Sequence, residues 1–185
     1  VILIIMQMIN AMKIARSNRA LEKKAYIDVH TGLPNKSRCE EILNDTKVIC
    51  ETTACMMFDL NNLKVVNDTK GHSAGDQLIF DFAQLLRQVI PEKDFVGRYG
   101  GDEFMAVVYN TNKQEIEEML ENLCEKIDKW NRNETRNPIS YAHGWALSNE
   151  HKNCSMQLLF DRADRYMYEN KQLCKKRERY AAKNI

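Results

Sequence analysis

The sequence has no excess of charge of either sign: 27 Lys+Arg stand against 26 Asp+Glu, a net of +1 over 185 residues. That balance excludes the global basic field of a nucleic-acid-binding domain and the acidic excess of a disordered tail, so no nucleic-acid partner is expected. The six cysteines, at 39, 50, 55, 124, 154 and 174, form no C-x-x-C pair and no Cys/His ligand spacing. A zinc site and a dithiol redox motif are thereby excluded, and reduced thiols in a reducing compartment are expected. Residues 1–9 (VILIIMQMI) are apolar but for Gln7, too short a run for the ~20 residues that cross a bilayer. No basic stretch precedes them and no small-residue cleavage site follows, which argues against a signal peptide. Two readings stand for this run: the last turns of a truncated transmembrane helix, or an amphipathic helix at a dimer interface.

Proline is scarce, with three residues, and neither proline nor glycine occurs before Gly32. The spacing predicts a linker or stalk helix over residues 1–27, with Ile4, Ala11, Ile14, Leu21 and Ala25 at seven-residue a/d spacing and Asn18 at an a-type position. A parallel stalk and a helix lying on the domain both fit this pattern. Lys13, Arg16, Arg19, Lys23 and Lys24 suit either an anionic inner leaflet or a solvated helix face. The Gly32-Leu33-Pro34 turn ends that helix and opens a second domain, 28–185, with a new helix from near Asn35.

In the body, residues 54–60 (ACMMFDL) read as a strand buried on both faces that delivers an acid, Asp59, at its end. A helix is expected from Gly75-Asp76 to Pro91, and two strands, 95–99 and 104–109, joined by a tight turn. Gly100-Gly101 would supply that turn's positive φ values. A helix over 113–130, a strand over 138–147 and a last helix over 156–174 complete the pattern. The irregular alternation with one hairpin predicts an α+β fold: a mainly antiparallel sheet flanked by helices, ferredoxin-like or palm-like.

If the strands are neighbours, Asp59 and the turn acids Asp102-Glu103 meet at one sheet edge. Clustered carboxylates repel and call for a cation, and few, exposed oxygen ligands suit Mg²⁺ held partly through substrate phosphates. A glycine pair beside them lets phosphate approach the backbone.

Arg98-Tyr99-Gly100-Gly101-Asp102-Glu103-Phe104 resembles the signature of the GGDEF family of diguanylate cyclases. The resemblance extends in order and spacing through Phe58 to Asp68, Gly71-His72 and Gly75-Asp76, the opening turn Asp28/Thr31-Gly32-Leu33/Asn35, and Ala163-Asp164, Tyr168 and Lys171. It covers about residues 28–175 and implies a nucleotide-cyclase type of palm. It also implies that two GTP condense to cyclic di-GMP, with loss of two pyrophosphates, between two antiparallel copies of the domain. By position, it implies Mg²⁺ (or Mn²⁺) on Asp59, Asp102, Glu103 and the Leu60 carbonyl, with Asp102, helped by Glu103, assisting deprotonation of the 3'-hydroxyl. Asn67 and Asp76 match guanine-reading positions, His72 a nucleotide-pocket position, and Lys64, Lys171 and Lys175 phosphate-contacting ones, with Gly100 and Gly101 beneath the phosphates.

Departures from the family pattern are local. Asn61 replaces a second acid, Lys175 an arginine, and Ala142 a serine, and Cys174-Lys175-Lys176 stands where Gly-Arg-Asn is frequent. The family's inhibitory Arg-x-x-Asp is degenerate, with Pro91 in place of the arginine and Asp94 retained. The expectation is an active cyclase regulated by dimerisation. A catalytically weak GTP-binding or interaction module is the alternative, and a mixed dinucleotide product a third possibility that Asp76 argues against. A cytoplasmic domain of a membrane-anchored bacterial protein, with an upstream sensor or membrane segment, is expected. The neutral total conceals segregation: residues 1–25 carry +4, residues 26–170 carry −8 and residues 171–185 carry +5.

Overall fold

The architecture is built around β1 (Thr53–Leu60), whose eight residues are all buried. Its neighbours on both sides are strands and helices cover both of its faces, which is why the run TACMMFDL carries no polar alternation until its penultimate residue. The structure, a computed structural model, describes residues 6–7, 9–10, 12–13, 25–45, 49, 52–133, 136–151 and 153–183, with side chains to 173 in the last helix.

In chain order the elements are α1 (Lys36–Leu43), β1, α2 (Leu63–Lys70), α3 (His72–Val89), β2 (Phe95–Arg98), β3 (Glu103–Tyr109), α4 (Lys113–Asn131), β4 (Tyr141–Leu147), a 3₁₀ turn (Ser148–Glu150) and α5 (Met156–Lys183). The sheet order is β2-β3-β1-β4 and every pairing is antiparallel. This is the split β-α-β arrangement of ferredoxin-like folds, with the hairpin strand β3 inserted between β1 and β2. The expected α+β sheet flanked by helices is therefore present.

Alternation along the strands sorts the core into two layers. Met56, Phe58 and Leu60 of β1, with Phe104 and Ala106 of β3, face α3 and α4, while Cys55, Met57, Met105 and Val107 face α1 and α5. Phe82 of α3 lies at the centre of the first layer, edge-on to Phe104 (centroids 5.2 Å) and Phe58 (6.3 Å). On the second layer α5 lies directly on β4: a Cβ at Gly144 would collide with the backbone of Ala163 and Met167. Glycine is required there for close approach, and that approach fixes the height of α5 above the sheet.

Several local expectations change. Helix α2 was not anticipated from periodicity: it has eight residues, none of them buried, and ends on Gly71 at φ 85°. Helix α3 starts at His72, three residues before Gly75, because Gly71 supplies the carbonyl that accepts from Ala74 and Gly75. Strand β4 starts at Tyr141 instead of 138, since Ile139 is held by the Asn131 side chain (2.8 Å to each of its backbone polar atoms). The hairpin connection is a four-residue loop, Tyr99–Asp102, in which neither glycine adopts the left-handed region, so the expected positive φ values are corrected. The longer loop, closed by Tyr99 and Gly100 amides donating to the Glu103 carbonyl, does not need them. At the N-terminus, Met6, Gln7, Ile9, Asn10, Met12 and Lys13 are helical. The heptad positions Ile4, Ala11, Ile14, Asn18 and Leu21, and the rest of the 1–9 run, lie outside the described residues. Among the described residues, no helix is long and apolar enough to cross a membrane.

Candidate active site

The antiparallel register carries β1 and β3 to a common end where Asp59 stands opposite Glu103. Beyond the ladder, the Leu60 amide donates to the Asp102 carbonyl at 2.9 Å, so the acid-bearing loop is tied to the end of β1. Asp59 is only 7% exposed. It lies on the face covered by α5, where the Lys171 ammonium donates to Asp59 Oδ1 at 2.6 Å. Asp164, two turns earlier on α5, faces the same cluster. Burial, then neighbouring Asp102, Asp59 and Asp164, push the Glu103 carboxyl above its ordinary range, with Lys171 pulling partly back. Burial, then Asp161 and Asp59, push the Asp164 carboxyl up as well. The edge thus holds more negative charge than one lysine offsets.

The glycine pair beside these acids is explained differently at its two positions. At Gly100 a Cβ would run into the Glu103 side chain, whereas at Gly101 nothing lies within 4 Å. Gly101 is thus dispensable to the fold by both dihedral angle and packing, and it leaves open space over the loop.

The loop is held from behind by Arg98. Its Nε donates to the Gly100 carbonyl (3.2 Å), Nη2 to the Gly101 carbonyl (2.8 Å) and Nη1 to both oxygens of Asp28 (3.3 and 3.2 Å). Asp28 also accepts from the Thr31 amide (2.8 Å) and hydroxyl (2.7 Å). Burial pushes the Asp28 carboxyl up, but the Thr31 bonds and the Arg98 guanidinium outweigh it and hold the carboxyl below its ordinary value. The same turn reaches the second group of expected residues, because His30 Nε2 donates to the Asp76 carbonyl at 2.7 Å.

That second group sits on α2 and α3. Asn67 packs against Gly75, where any Cβ would collide with its side-chain amide, so the two helices meet closely there. Asp76, His72 and Lys64 are exposed, on the first turns of α3 and α2. The structure therefore gathers Asp59, Leu60, Gly100, Gly101, Asp102, Glu103 and Lys171 at the sheet end. Lys64 and Asn67 lie on α2 and His72 and Asp76 on α3, the two helices meeting where Asn67 packs against Gly75. Lys175 lies on α5 one turn beyond Lys171, with its side chain outside the described set. Pro91 and Asp94 line a separate cavity of about 400 Å³ with Arg87, Glu92 and Phe95. There Asp94 Oδ1 accepts from the Tyr109 amide (3.0 Å) and its own amide donates to the Pro91 carbonyl (2.9 Å).

Sequence reasoning missed Arg98, Asp28 and Asp164 as parts of the site. The only available signal was their presence in the quoted motifs; the contacts that bring them to the site, Asp28 with Arg98 and Asp164 with Asp59 and Glu103, join residues more than 60 positions apart.

Among the described residues, no three carboxylate, imidazole or thiol groups close around one point by themselves. The donor chemistry nevertheless fits a hard dication completed by phosphate: oxygen donors only, crowded enough to raise Glu103, with an ammonium already resting on Asp59.

Residues 25–177 match the family described as "Diguanylate cyclase, GGDEF domain". The chain is 30% identical over 177 residues to the signaling protein YkoW of Bacillus subtilis (strain 168), covering 92% of this chain and 22% of that protein. It is 29% identical over 151 residues to diguanylate cyclase DgcZ of Escherichia coli (strain K12), covering 80% and 51%. The chain thus spans about a fifth of one relative and about half of the other. Among solved structures, the coiled coil and GGDEF domain of DgcB from Caulobacter crescentus in complex with c-di-GMP shares the fold, with a TM-score of 0.79, 22% identity and coverage of 90% and 91%.

Proposed function

The chain belongs to the GGDEF domain family, and from that premise we propose that it is a diguanylate cyclase, condensing two GTP into cyclic di-GMP with release of two pyrophosphates. The observation that carries this reading is the convergence of Asp59, the Asp102-Glu103 loop and Lys171 at one sheet end beside an unobstructed Gly101. At Gly101 a triphosphate can approach the loop backbone without meeting a side chain, and Lys171 and Lys175 supply cations to its phosphates.

Asp59, Asp102 and the Leu60 carbonyl, helped by Glu103, would hold Mg²⁺, or Mn²⁺ in its place. When bound, the metal neutralises charge on the attacked phosphate and acidifies the attacking hydroxyl. Asp102, assisted by Glu103, takes the 3'-hydroxyl proton. Each 3'-oxygen forms a bond to the other nucleotide's α-phosphorus as the bond to pyrophosphate breaks. Asp76 accepts from guanine N1–H and N2–H₂ and Asn67 donates to O6, a pairing adenine cannot offer. His72 and Lys64 border the nucleotide.

One chain holds one GTP, so two copies must meet for turnover. A GTP-consuming reaction places the domain on the cytoplasmic side of any membrane that anchors the full-length protein. With Pro91 in place of an arginine and Asp94 engaged with backbone, product inhibition through this face is weak or absent.

The test is incubation with GTP and Mg²⁺ followed by chromatography of the products, against Asp102→Ala. Cyclic di-GMP from the wild type alone is expected. No product at high protein concentration, with the variant indistinguishable, refutes the reading. Supplying GTP and ATP together should still yield only the guanine product.

A further inference from the structure

The contact between Lys171 and Asp59 places a fixed positive charge where the proposed reaction needs a metal. We infer that Lys171 is a built-in counter-cation: in the nucleotide-free domain it occupies Asp59 and excludes free divalent metal, and it yields Asp59 when a metal–triphosphate offers it phosphate oxygens instead. This rests on the reading above for the identity of the incoming ligand, but not for the exclusion of metal.

Three observations support it. The bond is short, 2.6 Å, and sheltered, with side chains 24% and 9% exposed for Lys171 and Asp59. An ammonium at that distance on a nearly buried carboxylate keeps a hydrated dication from the same oxygen. The bond is also set by backbone packing. Lys171 stands one turn after Met167, whose amide lies where a Cβ at Gly144 would be, so α5 sits against β4 without slack. That seating fixes where the Lys171 side chain leaves the helix, and its stem then carries the ammonium to Asp59. Finally, one ammonium does not balance the edge. Glu103 faces Asp102, Asp59 and Asp164 as well as Lys171, so negative charge remains to attract a dication once Lys171 has another partner. A triphosphate is such a partner: the lysine moves from carboxylate to phosphate while the metal takes the vacated oxygen, and no charge is stranded.

The inference makes Lys171 act with opposite sign on two ligands. Titration with Mn²⁺ alone, followed by the loss of the free-ion electron paramagnetic resonance signal, should show Lys171→Met binding at least tenfold more tightly than the wild type. Lys129→Met, which removes an equal charge from an exposed position on α4 outside the site, should change binding less than twofold. Adding Asp59→Asn to Lys171→Met should abolish the gain. For Mn²⁺ with a non-reactive GTP analogue, Lys171→Met should bind at least fivefold more weakly than the wild type. Lys171→Gln, whose amide can donate to Asp59 without charge, should give an intermediate gain, and it serves if the methionine variant does not fold. Unchanged Mn²⁺ affinity in both Lys171 variants, an equal gain from Lys129→Met, or a gain that survives Asp59→Asn would overturn the inference. So would an unweakened analogue affinity in Lys171→Met. Because the first titration needs no turnover, a chain that makes no cyclic di-GMP yet shows the Lys171 gain would refute the cyclase reading and leave metal exclusion standing.

Discussion

Replacing Arg98 by alanine tests how the acid-bearing loop is held. The guanidinium joins three acceptors that, among the described residues, no other side chain brings together: the Asp28 carboxylate and the carbonyls of Gly100 and Gly101. The Asp28 pair, with side chains 17% and 21% exposed, is neither a surface bridge worth under ~1 kcal/mol nor a fully buried one whose breakage costs ~3–5 kcal/mol; roughly 1–2 kcal/mol is reasonable. Each carbonyl bond adds about 0.5–1.5 kcal/mol, nearer the lower end at exposed Gly101, where water can take over. Arg98→Ala should therefore lower unfolding free energy by about 2–4 kcal/mol, read as a shifted urea midpoint at unchanged slope. Arg98→Lys should recover only part of this, since an ammonium cannot span all three acceptors.

The sign of the pH dependence is fixed by Asp28. Its carboxyl lies below the ordinary value of 3.8 in the folded state. Its stabilisation is therefore complete above 3.8 and lost as pH falls through the depressed value. The variant, with one stabilising partner fewer, has less to lose, so the gap between the two proteins should narrow on acidification below 3.8. A midpoint change worth under about 0.5 kcal/mol, or a gap that stays constant on acidification, would refute the role assigned to Arg98. Cyclase kcat/KM should fall at least tenfold in Arg98→Ala, because Asp102 and Glu103 ride on the loop it anchors.

Gly144→Ala should destabilise by about 1–3 kcal/mol or more, since its Cβ meets the backbone of α5; a thermal melt matching the wild type would show that α5 has slack. Phe82→Ala should cost about 3–5 kcal/mol by denaturant unfolding, as its ring contacts Phe58, Phe104 and Tyr141. Glu103→Gln should be more stable than the wild type at neutral pH and lose that advantage below about 4.5. A carboxyl raised in the folded state contributes fully below its unfolded value of 4.5 and less as pH rises through the folded one. Unfolding curves at pH 7.5 and pH 4 would check the sign.

How far the sequence reveals this molecule depends on the range of the interaction. Strand β1 and the hairpin were legible because burial writes itself into consecutive residues, and Asp59 stood out as an acid ending an apolar run. Helix α2 was not, because it buries no residue fully and its eight residues leave no periodic stripe to read. The dihedral angles of Gly100 and Gly101 were misjudged because a glycine pair also serves steric clearance and open space, which a turn rule does not distinguish. The Lys171–Asp59 bridge spans 112 positions and the Arg98–Asp28 bridge 70. Both depend on strand order and helix height, quantities that no local pattern encodes.

The pairing of Thr53 with Tyr109 through Asp59 with Glu103 also determines where this domain can change length. One residue inserted within that stretch of β1 would turn every later side chain to the opposite face. Phe58 would swing toward α5, and Asp59 into the apolar layer beneath α3 and α4. Insertions at 110–112 or 149–155 leave that ladder untouched. For anyone grafting a reporter or fusing a partner into this domain, β1 is a ruler of fixed length, and any insertion has to fall outside it.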